Sequence, residues 1–225
     1  MIRALAALLV LAAGEAGAKE AGAGEPALEA LAKAAPPCEP ARAHCIGIKL
    51  HVAAGAHGPV ASADWIARQL AEANRHFAPI GVGFQITAAA ALPAAAARIE
   101  DAAERTRLGR HVAGTVIDVF VTAQLDDVDV PDGVIRGVAW PAGARKLVIL
   151  STIAPDRVLA HELGHVFGLP HSRYPISIMN KTPREAPVFY TIFEDITGWI
   201  SSLITRLFGH EPKPSASTDP VNISP

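Results

Sequence analysis

His161-Glu162-Leu163-Gly164-His165-Val166-Phe167-Gly168-Leu169-Pro170-His171 is the stretch that dictates the fold of this 225-residue chain. Histidines four apart on a helix lie one turn above each other, so both imidazoles can reach one metal ion at about 2.0–2.1 Å. Glu162 lies about 100° round the helix from His161, where its carboxylate can act as a general base beside the ion without ligating it. Gly168 permits the left-handed backbone that ends a helix, and Pro170 prevents the helix from resuming. His171 is thereby delivered from a different direction as a third ligand. Three protein ligands leave tetrahedral zinc an open position, whereas a structural zinc usually has four, commonly including cysteines. Two blander readings remain, a helix with surface histidines and a zinc site without activity.

The helix carrying these residues is expected to begin near Pro155, with Asp156 in its first turn and Leu159, Leu163 and Val166 as its buried stripe. Upstream, Ile46, Ile48, Leu50 and Val52 alternate as a strand with one buried side. Ser62 is an N-cap candidate for an amphipathic helix through Ile66, Leu70, Ala73 and Phe77, which Pro79 ends. A second strand is expected at Val82–Ile86, a partly helical Ala-rich stretch at 88–110, and a central strand at Val116–Val121. The runs 134–140 and 147–150, separated by Pro141-Ala142-Gly143, read as strand, turn and strand.

The motif resembles that of the metzincin metallopeptidases, whose pattern His-Glu-x-x-His-x-x-Gly-x-x-His is complete from His161 to His171. Ser177-Ile178-Met179-Asn180 is similar to the methionine turn that metzincins place beneath the zinc. With Gly164, Leu169 and Ser172, the extended run is most similar to the matrixin branch. The resemblance implies an α+β, metzincin-like (zincin) single domain: a twisted mixed β-sheet, an active-site helix and a C-terminal helix. It implies one catalytic Zn2+ held by His161, His165 and His171, with Glu162 as the catalytic base for peptide hydrolysis. Gly137-Val138-Ala139-Trp140-Pro141 resembles the edge strand that pairs with extended substrate, an ordinary edge strand ended by proline being the alternative. The loop 124–133 carries Asp126, Asp127, Asp129 and Asp132 but no histidine, so no second zinc is expected, and Ca2+ is possible but not expected. No tyrosine lies two residues beyond Met179, so the tyrosine ligand of some metzincins has no counterpart.

The remaining sequence bears on location. Arg3, the apolar run 4–13 and Ala16-Gly17-Ala18 form the three parts of a signal peptide at 1–18, with an Ala-rich buried helix as the alternative. Residues 19–37 are expected to be a flexible segment, 38–209 the catalytic domain, and 210–225 a disordered tail. Cys38 and Cys45, the only cysteines, are expected to form a disulfide in an exported protein. Two free thiols, or Cys38 as an inhibitory thiolate on the zinc, are the alternatives. Phe189 to Leu207 carries an apolar stripe read as a C-terminal helix at about 187–208 that closes the domain, with membrane-surface docking as the minority reading. No segment of the mature chain reads as an integral membrane span. A formal charge of -2 gives no basic field for nucleic acid. The composite expectation is a secreted or periplasmic, monomeric zinc endopeptidase with a peptide or protein substrate. A catalytically silent zinc-containing peptide-binding module and an amidase acting on cell-wall or other non-protein amides are the alternatives. The intact Glu162 disfavours the silent module.

Overall fold

A computed structural model describes residues 25–34, 38, 42–174 and 177–180. The expected signal peptide, the C-terminal helix at about 187–208 and the tail lie outside the described residues. Within them the chain is α+β, built on one twisted mixed sheet. Strand β1 (His44–Gly55) turns into the two-residue β2 (Gly58–Pro59), helix α2 (Ala63–Phe77) follows, and β3 (Val82–Leu92) returns. After β4 (Arg98–Ile99) and α3 (Ala102–Leu108) come β5 (Ile117–Thr122), β6 (Gln124–Leu125), β7 (Gly137–Ala142), β8 (Arg145–Ser151) and α4 (Val158–Val166). β1 lies between β3 and β5, β8 pairs with β5, and these four strands run parallel. β7 closes the other edge antiparallel to β8, while β4 and β6 form a separate pair.

Alternation along β1 sends Ile46, Ile48, Leu50 and Val52 to the face covered by the helices, as its period implies. They pack there with Leu70 and Phe77 of α2 and with Leu159 and Leu163 of α4. The opposite face is covered by a smaller core around Leu108, Phe120, Leu125 and Ile149. β5 is buried along its whole length. Its one acid, Asp118, is matched by His51 of β1, Nε2 to Oδ1 2.9 Å, so the buried carboxylate has a partner.

Three expectations change. Leu28 and Leu31 of α1 (Glu25–Ala34) are buried in the main core, so part of the segment 19–37 expected to be flexible is a docked helix. Two leucines three apart suffice to seat one helical face even in an Ala- and Glu-rich stretch. Residues Ala88–Leu92 are strand rather than helix. β3 continues past Ile86 because Thr87 is looped out as a bulge, after which Ala88 pairs with Lys49 and Leu92 with Ala53. Pairing with β1 overrides the helical propensity of alanine there. The third change is the start of α4, which is Val158 rather than the vicinity of Pro155.

Gln69, buried on the core side of α2, accounts for that later start. Its Nε2 donates to the carbonyls of Ala154 (3.1 Å) and Pro155 (2.9 Å), and its Oε1 accepts the Leu159 N–H at 3.0 Å. One amide thus satisfies backbone groups on both sides of the helix start. Asp156 lies in the turn before the helix and faces Arg68 at 3.2 Å. Gln69→Leu fills similar volume but leaves the Leu159 donor without its partner, at about 1–3 kcal/mol, while the Pro155 carbonyl keeps the Val158 N–H and the Ala154 carbonyl keeps Trp65 Nε1. Urea unfolding should show a loss of about 1–3 kcal/mol; an unchanged midpoint would contradict this role for the side chain.

Candidate active site

The end of α4 shapes the site. Gly168 adopts φ 86°, and the terminal bonds run Leu169 N–H to Gly164 C=O (2.9 Å) and Gly168 N–H to His165 C=O (3.0 Å). This is a Schellman closure with glycine in the left-handed position, as Gly168 implies. The chain folds back at once, which brings His171 to the two helical histidines. Lys146 of β8 donates from Nζ to the His165 carbonyl at 2.8 Å, placing a cation at the negative end of the helix.

The sites offered by His161, His165 and His171 lie within 4.8 Å of one another, and they are the only trio of this kind among the described residues that could hold a metal ion. His165 Nε2 and His171 Nε2 are 3.1 Å apart, against about 3.3 Å between two ligands of a tetrahedral zinc with 2.0–2.1 Å bonds. Two of the rings are oriented by backbone carbonyls. His161 Nδ1 donates to Ile178 C=O at 2.8 Å and His165 Nδ1 to Leu169 C=O at 2.7 Å. Because a carbonyl only accepts, the proton of each neutral ring is on Nδ1 and the lone pair on Nε2. Burial lowers the pKa of His161 and takes that of His165 down to about 4, which keeps both rings neutral near pH 7. The donor set, its spacing and its tautomers fit one zinc ion.

Glu162 is 5% exposed and sits beside this trio. Burial pushes its carboxyl up to about 7, opposed by a hydrogen bond from the Ala139 backbone. Ala139 lies on β7, whose edge faces the cleft. Since Ser151 N–H bonds Arg136 C=O at 2.9 Å, alternation turns the backbone groups of Gly137 and Ala139 outward, away from β8. The structure therefore brings Gly137, Val138 and Ala139 to the wall of a cleft of about 790 Å³ that also contains all three histidines and Glu162. The Val138 side chain packs on the smaller core.

The expected methionine turn is formed locally. Asn180 N–H bonds Ser177 C=O at 3.0 Å, Met179 N–H bonds Ser177 Oγ at 3.1 Å, and Ser172 N–H bonds Met179 C=O at 2.9 Å. Met179 is 4% exposed and lies directly against Gly164. Cys38 and Cys45 are joined in a disulfide with Cα atoms 6.0 Å apart, which removes the free-thiol and inhibitory-thiolate readings. In the acidic loop the Asp126 carboxylate is engaged by Arg98 and Gln124, and Asp127 Oδ1 accepts the Asp129 N–H. Asp132 takes a left-handed φ of 58°.

The sequence model of the matrixin family matches residues 87–201, just over half of the chain. The chain belongs to the matrixin family. It is a metzincin-type zinc metallopeptidase, a hydrolase. No curated protein matches it. Among solved structures it is similar to archaemetzincin from Methanopyrus kandleri, at 18% identity and a TM-score of 0.44, over 64% of this chain and 84% of that one.

Two residues that shape this matrixin site are absent from the sequence reading, and a third, Gly164, enters it only as part of the family resemblance. Gln69 and Lys146 hold the two ends of α4 from other elements. Gly164 matters through its missing side chain, because an ideal Cβ there would overlap Met179 Sδ. Glycine to alanine inside a helix ordinarily adds up to about 1 kcal/mol of stability. Here the overlap should win, at about 1–3 kcal/mol for overpacking. Gly164→Ala is expected to lower both the melting temperature and the zinc affinity in a chelator competition; a more stable variant with unchanged zinc affinity would contradict the contact.

Proposed function

We propose that this matrixin is an exported endopeptidase in which His161, His165 and His171 hold the zinc and Glu162 is the general base. The observation that carries the proposal is the buried Glu162 carboxylate. It lines the same cleft as the three histidines, almost wholly buried and held by the Ala139 backbone, the place a general base must occupy to reach water beside their shared ion. Zinc, when bound, supplies Lewis-acid assistance to hydrolysis.

The chain's own residues do the rest. Glu162 accepts a proton from the attacking water and returns it to the leaving amine nitrogen. The Ala139 N–H orients the carboxylate, and the outward backbone of Gly137 and Ala139 offers hydrogen bonds to an extended peptide, by strand addition. Such pairing reads the main chain and suits cleavage within a chain. Export rests on the signal-like residues 1–18 and agrees with the Cys38–Cys45 disulfide, which needs an oxidising compartment.

Zinc-loaded protein incubated with a diverse peptide library should give internal cuts that a chelator abolishes. Glu162→Ala should retain zinc and lose at least about 10²-fold in turnover; a variant that cuts at the wild-type rate would refute the assignment. Terminal sequencing of the protein recovered outside the cytoplasm should find Lys19 first. Recovery only in the cytoplasm with Met1 intact would refute export.

A further inference from the structure

Two arginines in the cleft have no assigned role. Arg157 occupies the N-cap position of α4, where no side chain caps the helix and no acidic residue lies in the first turn. A cation there opposes the positive end of the helix dipole, so its presence is a local cost. Arg136 lines the same cleft. Gly137 and Val158 touch, an ideal Cβ on Gly137 falling 2.7 Å from Val158 Cγ1, and the arginines are the residues immediately before that pair. Both line the cleft that holds His161 and Glu162.

Among the described residues neither arginine side chain makes a hydrogen bond or an ion pair. The carboxylates of this region are directed elsewhere. Asp156 faces Arg68, Asp126 faces Arg98, and Asp127 and Asp129 act on Arg105. The same cleft also exposes three large apolar side chains, Val128, Val134 and Ile153. A pair of guanidinium groups without an anion, on the wall of a cleft with exposed apolar groups, is complementary to a carboxylate flanked by an apolar residue.

Resting on the reading of the cleft as a peptide site, we infer that Arg136 and Arg157 form a subsite for an Asp or Glu side chain of the substrate. They set specificity, and they touch no reacting atom. Acidic peptides with an apolar residue next to the acid are the substrate class that this wall selects.

The test walks a single Glu through a short, otherwise neutral and apolar fluorescein-labelled peptide, each compared with its Gln counterpart on the zinc-loaded full chain. Cleavage is read as kcat/KM, and binding of intact peptides by anisotropy. At one position Glu should be favoured over Gln by about fivefold or more, a preference that weakens with salt. The double variant Arg136→Gln/Arg157→Gln should bring the ratio below about twofold, while Arg136→Lys/Arg157→Lys should keep most of it. A ratio near one at every position, or a ratio that survives the double glutamine variant, overturns the subsite. A Glu preference in binding with no cleavage of any peptide supports the subsite and overturns the peptidase reading instead.

Discussion

Three imidazoles can share one ion only if the chain reverses within a turn of the helix that carries the first two, and the rest of this structure serves that reversal. Gly168 makes it possible by adopting a backbone conformation that costs an L side chain about 1 kcal/mol or more. The bonds from Leu169 and Gly168 back to Gly164 and His165 close the helix, and the Leu169 carbonyl then orients the His165 ring. Met179 sits against Gly164 from below, and the Ile178 carbonyl beside it orients His161. The methionine turn and the metal trio are therefore one packed unit.

That unit works only if α4 is fixed against the sheet. Gln69 holds its start, Lys146 holds its end, and Gly137 lets Val158 and Glu162 approach β7 more closely than a Cβ would allow. The close approach places the Glu162 carboxyl in a poorly solvated position, which raises its pKa, and within reach of the Ala139 backbone. Arg136 and Arg157, the residues immediately before this contact, both line the cleft. Packing thus sets both the proton affinity of the site and the charge of its wall.

The metal trio and its turn are legible in the sequence because they rest on local rules: the four-residue helical spacing, the left-handed glycine and the proline that follows. The main strands are legible for the same reason, since Ile46 to Val52 and Val116 to Val121 carry a pattern that pairing only had to honour. Alternation stops at Thr87, so the bulge and the continuation of β3 through the alanines depend on β1 and not on local preference. Gln69 signals itself only as a polar residue on an apolar stripe; the groups it bonds lie on α4 and the turn before it, far along the chain. The two cleft arginines are invisible in sequence because they come from different elements, the approach to β7 and the start of α4, which only the fold brings to one cleft. The docked α1 is hidden by a composition that resembles a loose segment.

The central claim, that three histidines from a reversed helix hold one zinc ion with a position left open, is tested most directly by X-ray absorption on the zinc-loaded full chain. The account predicts three imidazole nitrogens and one oxygen at about 2.0–2.1 Å. A sulfur ligand, a fourth protein nitrogen, or fewer than three imidazoles would contradict it.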